Sequence, residues 1–134
     1  MRYLGLVLFI AFTPWASFAQ NSEQYRACSE KAKTQAQMNA CANEEARRVD
    51  AELNRIYGKL VSKAEGNAAG VAKVKAAQRA WIAYRDGYID AMYPAEDKQA
   101  EYGSVYPMDV DLLRAKLTRQ QIAALKELLQ QYSN

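Results

Sequence analysis

The chain has 134 residues, with 18 Lys and Arg against 15 Asp and Glu and no histidine. That length holds one domain, not two. A formal charge of +3 without a basic tract excludes the electrostatic footprint of nucleic-acid binding, and the lack of histidine excludes Ser-His-Asp and Cys-His catalysis.

The N-terminus reads as a secretory signal. Arg2 supplies the positive charge, Leu4 to Phe12 the apolar core, and Ser17-Phe18-Ala19 the small residues that signal peptidase reads. Residues 1–19 are therefore assigned to a signal peptide and 20–134 to a single mature domain. The apolar run is short for a membrane span and is broken by Pro14. No stable membrane insertion is expected after cleavage, although an uncleaved anchor stays open. Loss of Arg2 lowers the formal charge from +3 to +2. The expected location is periplasmic or secreted.

An exported chain meets an oxidising compartment, so Cys28 and Cys41 are expected to form a disulfide. Two cysteines are too few soft ligands for a structural zinc site, and no metal or cofactor is expected. Thr34-Gln35-Ala36-Gln37 fits a capping box and starts a long helix that runs to about Ala64. Its apolar face is Met38, Ala42, Ala46, Val49, Leu53, Ile56 and Leu60, at steps of three and four. On one straight helix Cys28 and Cys41 would lie about 20 Å apart, whereas a disulfide needs about 4–7 Å between Cα atoms. The chain must therefore reverse near Thr34 if the bridge forms. Two free thiols on a continuous helix are the alternative.

Glu65-Gly66-Asn67-Ala68-Ala69-Gly70 breaks the helix. A second long helix is predicted from Val71 to Met92, ended by Tyr93-Pro94. Its predicted inner face is Val71, Val74, Ala77, Trp81, Tyr84, Tyr88 and Met92, with Gln78 and Arg85 in the same stripe. Residues 93–111 read as the longest irregular segment, with a short helix over Asp109 to Ala115. Thr118-Arg119-Gln120-Gln121 repeats the capping-box pattern and starts a last helix to about Tyr132, with Ile122, Leu125, Leu128 and Leu129 inward. No strand-like alternation of useful length is present.

The expected fold is all-α: a small helical bundle built on two long antiparallel helices, with a disulfide-tethered N-terminal segment and a C-terminal helix. Register estimated from the break at Gly66 sets Asn54 against Gln78 and Asp50 against Arg85 or Ile82, and an Asp50–Arg85 ion pair with an Asn54–Gln78 amide contact is expected. With Tyr57 and Trp81 these form a predicted structural polar layer. The adjacent carboxylates Glu44 and Glu45 point about 100° apart on a helix and read as a solvated face, not as a glycosidase pair. No enzymatic activity is expected. Arg79 and Asp86 fall on the outer face of the second helix and are candidates for partner binding. So are Tyr93, Tyr102, Ser104 and Tyr106 in the 93–111 segment, because aromatics on a loop offer contact area. The alternative is that these tyrosines pack the segment onto the bundle.

Three stretches taken together resemble the LprI-like lysozyme-inhibitor domain family. They are Cys28 with Thr34 to Cys41, Asp50 to Tyr57, and Gln78 to Asp86. Tyr102-Gly103-Ser104 and Leu117 to Gln121 match its closing motifs more loosely. The resemblance covers about residues 25 to 129. It implies a small exported helical bacterial protein with a lysozyme or another envelope protein as partner. The family commonly carries a second cysteine pair. Here those regions read Gly87-Tyr88-Ile89 and Val110-Asp111-Leu112, and a late arginine of the last motif is Gln121. The expected function is binding, with lysozyme inhibition by steric occupation as its sharpest form. A helical envelope structural or interaction module without an enzyme target is the alternative.

Overall fold

The computed structural model describes residues 21–133. The signal-peptide assignment falls on residues outside the described ones. Five α-helices follow in order: α1 (Glu23–Lys31), α2 (Gln35–Ala64), α3 (Ala68–Met92), α4 (Lys98–Tyr102) and α5 (Tyr106–Gln131), with a single 3-10 turn at Gly103–Val105 before α5. The fold is the expected all-α bundle with its N-terminal piece tethered by the Cys28–Cys41 disulfide.

Local chemistry explains most boundaries. Ser22 caps α1 by accepting from the Tyr25 amide, and Thr34 caps α2 by accepting from the Gln37 amide at 3.2 Å. Gln37 reaches back, but to the Lys33 amide at 2.6 Å rather than to that of Thr34. The chain reverses between Lys31 and Gln35, which brings the two cysteine Cα atoms to 5.7 Å. Asn67 caps α3 and Asp97 caps α4. Gly103 takes a positive φ of 69°, a conformation open to glycine and costly for other residues. Pro107 occupies the first turn of α5, where its missing N–H leaves no bond unmade.

α2 is the spine. Ala46, Val49, Leu53, Ile56 and Leu60 form the main core with Val74 of α3 and Ala115, Ile122 and Leu125 of α5. α3 returns antiparallel to α2. α5 then runs in the same direction as α2: Asn39 bonds the Ser104 carbonyl near the start and Lys126 meets Glu52 further along. The most extensive packing is this parallel α2–α5 pair. Near the far end Tyr132 lies against Gly70, where an added Cβ would come within 3.1 Å of the Tyr132 hydroxyl.

Four expectations are corrected. First, α5 is continuous from Tyr106 to Gln131, so Thr118 starts nothing. Neither glycine nor proline stands between Asp109 and Gln131, and the fully buried Thr118 hydroxyl bonds Asp50 across the bundle at 3.3 Å. Second, the 93–111 segment is mostly helical, with only a short connection between α3 and α4. Third, α3 is rotated from its predicted face. Gly70, Val74, Gln78 and Ile89 are buried, while Ala77, Tyr84, Tyr88 and Met92 are exposed. α3 must serve both α2 and α5, and the direction between them is not the centre of its apolar stripe. Fourth, Asn54 is exposed and does not meet Gln78. Gln78 instead accepts from Gln121 of α5 at 3.1 Å.

Candidate functional site

A groove of about 470 Å³ opens where α2, α3 and α5 meet. Its lining comprises Asp50 from α2, Arg85, Asp86, Ile89 and Asp90 from α3, and Tyr106, Val110 and Arg114 from α5. Ile89 and Val110 are buried together with Leu117 and form an apolar base. The rim is charged.

Two strings of polar contacts set that rim. In the first, Arg85 donates from Nε to Asp86 Oδ1 at 2.9 Å and approaches the same oxygen through Nη2 at 2.8 Å. Its Nη1 stands 3.9 Å from Asp50 Oδ1, so Asp86, not Asp50, is its principal partner. The guanidinium lies 5.2 Å from the centre of the Trp81 ring, within reach of a cation–π attraction. In the second string, Arg114 donates to Asp111 at 2.6 Å, and Asp111 accepts from Asn43 at 3.2 Å. Asp111 is buried and fully engaged. Asp90 is exposed and has no ion-pair partner among the described residues.

The tyrosines close one end of the groove. Tyr93 meets Tyr102 and Tyr106 edge-on, each at 5.2 Å between centroids, and Tyr102 stacks on Tyr106 at 5.7 Å. The Tyr102 hydroxyl accepts from the Ala95 amide at 3.1 Å. Lys98 donates to the Tyr93 and Ala95 carbonyls. Burial, and then the charge of Asp109, pushes the Tyr93 hydroxyl above its usual range. The three rings are half-buried and pack the α3–α4 connection onto the bundle, while their outer edges stay accessible. Ser104 is exposed, and its carbonyl accepts from Asn39 at 3.0 Å. Arg79 is exposed and is not part of the groove lining. Tyr57 packs against the main core, not at the groove.

One polar centre lies outside every predicted site. Glu45, read as solvated, is fully buried. It accepts from the Ser22 amide at 2.9 Å, the Ser22 hydroxyl at 2.5 Å, Arg48 at 2.6 Å and Arg119 of α5. Burial pushes its carboxyl up, but the bonds from Ser22 and Arg48 and the charge of Arg119 outweigh burial and hold it below the usual range. A signal for it exists in the sequence. Glu45 lies between Ala42, Ala46 and Val49 at core spacing, so its side chain enters the buried stripe. Among the described residues no group of three His, Cys, Asp or Glu side chains is placed to hold a metal.

The model of the family described as "Lysozyme inhibitor LprI" matches residues 28–125. The chain belongs to the LprI lysozyme inhibitor family. The match runs from Cys28 of the disulfide to Leu125 of the main core and so encloses the groove. This LprI-family chain is also similar to the uncharacterized protein R02472 of Rhizobium meliloti (strain 1021). The two are 35% identical over 125 residues, covering 85% of this chain and 87% of that protein. No solved structure matches.

Proposed function

We propose that this protein is exported, resides in the periplasm or outside the cell, and inhibits a lysozyme by sterically occupying its cleft without chemistry of its own. Membership of the LprI family supports the class of target. The observation that carries the reading is the segregation of charge along the chain, whose acidic segment supplies most of the groove lining. Residues 82–111 hold seven acids and two bases, a net of −5, while the remaining described residues hold eight acids and fifteen bases, a net of +7. A cationic partner is steered to the acidic end and repelled by the rest, which fixes orientation as well as rate. Asp86, Asp90 and the accessible edge of Tyr106 provide the contact there. The disulfide and the N-terminal apolar run support export, and none of the described helices is long and apolar enough to cross a membrane.

The test is lysozyme turnover on cell-wall substrate, titrated with oxidised mature protein and repeated with several lysozyme types. Glu96 and Glu101 are exposed acids of the α3–α4 region outside the described ion pairs. The double variant Glu96→Lys/Glu101→Lys is expected to weaken stoichiometric inhibition roughly tenfold, more at low salt than at high. Absence of inhibition for every lysozyme tested ends this reading. The second reading, an envelope interaction module without an enzyme target, would then stand, and the bare outer face of α3 favours it.

A further inference from the structure

α3 carries large apolar side chains that the bundle does not use. Ile82, Tyr84, Tyr88 and Met92 are 40%, 58%, 41% and 52% exposed. Tyr84 and Tyr88 stand one turn apart with ring centroids 5.9 Å from each other, forming an accessible aromatic ridge. A neighbouring edge of the same outer face carries four charges. Lys75 and Arg79 lie in the N-terminal half, Asp86 and Asp90 in the C-terminal half. At about 100° per residue all four fall within one narrow sector. Lys75, Arg79 and Asp90 have no ion-pair partner among the described residues.

This charge order is self-complementary in one arrangement. When a second α3 lies antiparallel across a two-fold axis near Ile82 and Ala83, Arg79 comes level with Asp86 of the second copy. In the same register Lys75 comes level with Asp90 of the second copy. Symmetry makes each pairing twice. Along the opposite edge Tyr84 of each copy lies near the axis beside its counterpart, and Tyr88 comes level with Ala77 of the second copy. Between the edges stand Ala76, Ala80, Ala83 and Gly87, all exposed, which leave room for the helices to approach. A uniformly cationic partner would meet repulsion from Lys75 and Arg79, whereas a second copy supplies the opposite charge at each position.

We propose that the outer face of α3 is a self-association surface that pairs two copies of this chain antiparallel about Ile82 and Ala83. One helix face per copy is less than the roughly 800 Å² per partner of a standard stable interface. The dimer is therefore expected to be a dissociable one. Asp86 and Asp90 also belong to the contact proposed for a lysozyme, so the pairing of copies and that binding compete for the same carboxylates.

Sedimentation velocity of the oxidised mature protein, from low to several hundred micromolar, is the first arm. Monomer–dimer exchange is expected, with the dimer lost in Tyr84→Ser/Tyr88→Ser while the helical circular dichroism is retained. Lys75→Glu and Asp90→Lys should each weaken the dimer several-fold, and the double variant should restore it. Position-specific crosslinking is the second arm. Ala83→Cys should give a covalent dimer on oxidation, and Ala69→Cys, far from the axis, should not. A chain that stays monomeric throughout overturns the proposal. So does equal crosslinking at both positions. A face that becomes protected only on addition of lysozyme would assign it to that foreign partner and overturn the pairing of copies.

Discussion

α2 and α3 are both long helices, yet they relate to the bundle in opposite ways. α2 has 30 residues and buries nine, and it packs against α1, α3 and α5. α3 has 25 residues and buries four, one of them a glycine and one a glutamine. The first is a structural spine. The second holds its place with a narrow seam and turns aromatic and charged side chains outward. A helix does not have to bury its most apolar face. It buries the face that its neighbours reach, and the remainder is left for other contacts.

The contrast can be broken most directly at Leu60, which is fully buried in the main core. Leu60→Ala is expected to cost roughly 3–5 kcal/mol in urea unfolding through lost burial and the cavity left behind. If α3 is the loose partner, Tyr84→Ala in dilute solution should change stability by less than about 0.5 kcal/mol. A comparable loss at both sites would remove the distinction.

Glu45 sharpens the contrast by showing what secures α1 and α5 to the spine. Glu45→Gln is expected to cost roughly 1–3 kcal/mol at neutral pH, because a buried hydrogen-bonded charge is lost. The folded carboxyl lies below its ordinary 4.5. The stability it adds is therefore present above the unfolded value and fades as the pH falls through the lower folded one. Unfolding free energy measured from pH 7 downward should decline less steeply in Glu45→Gln than in the parent. Parallel curves would mean that the latch does not titrate.

A small effect is also expected at Arg85. Its principal partner, Asp86, has a side chain that is 56% exposed, and such pairs contribute little. Arg85→Ala should cost no more than about 1 kcal/mol, well short of the 3–5 kcal/mol range of a fully buried pair. A larger loss, read by urea unfolding, would place α3 nearer to α2 in importance than its burial implies.

Several features of the groove were legible in advance and others were not. Asp50, Arg85, Asp86 and Tyr106 were singled out from the sequence and do converge there. Asp90, Val110 and Arg114 were missed, since nothing local marks a charge or a valine as facing a groove formed by three helices. Asn54 was set opposite Gln78 by counting from the turn. That count fixes height along the bundle and leaves rotation about the axis undetermined, and rotation brought Gln121 to Gln78 instead. Thr118 carries a capping signature without acting as a cap. A threonine hydroxyl binds either its own backbone or a partner across the bundle, and Asp50 is that partner here.

By itself the sequence determined what short-range chemistry decides. It set the all-α class, the reversal that lets Cys28 meet Cys41, the Thr34 cap, the end of α2 at Ala64 and the stop of α3 ahead of Pro94. Each depends on a few adjacent residues and on backbone groups that must be bonded. Tertiary structure alone decided the rotation of α3, the continuity of α5, the depth of Glu45 and the partner of Gln78. These depend on which of two neighbours lies closer, and no periodicity within one helix contains that distance.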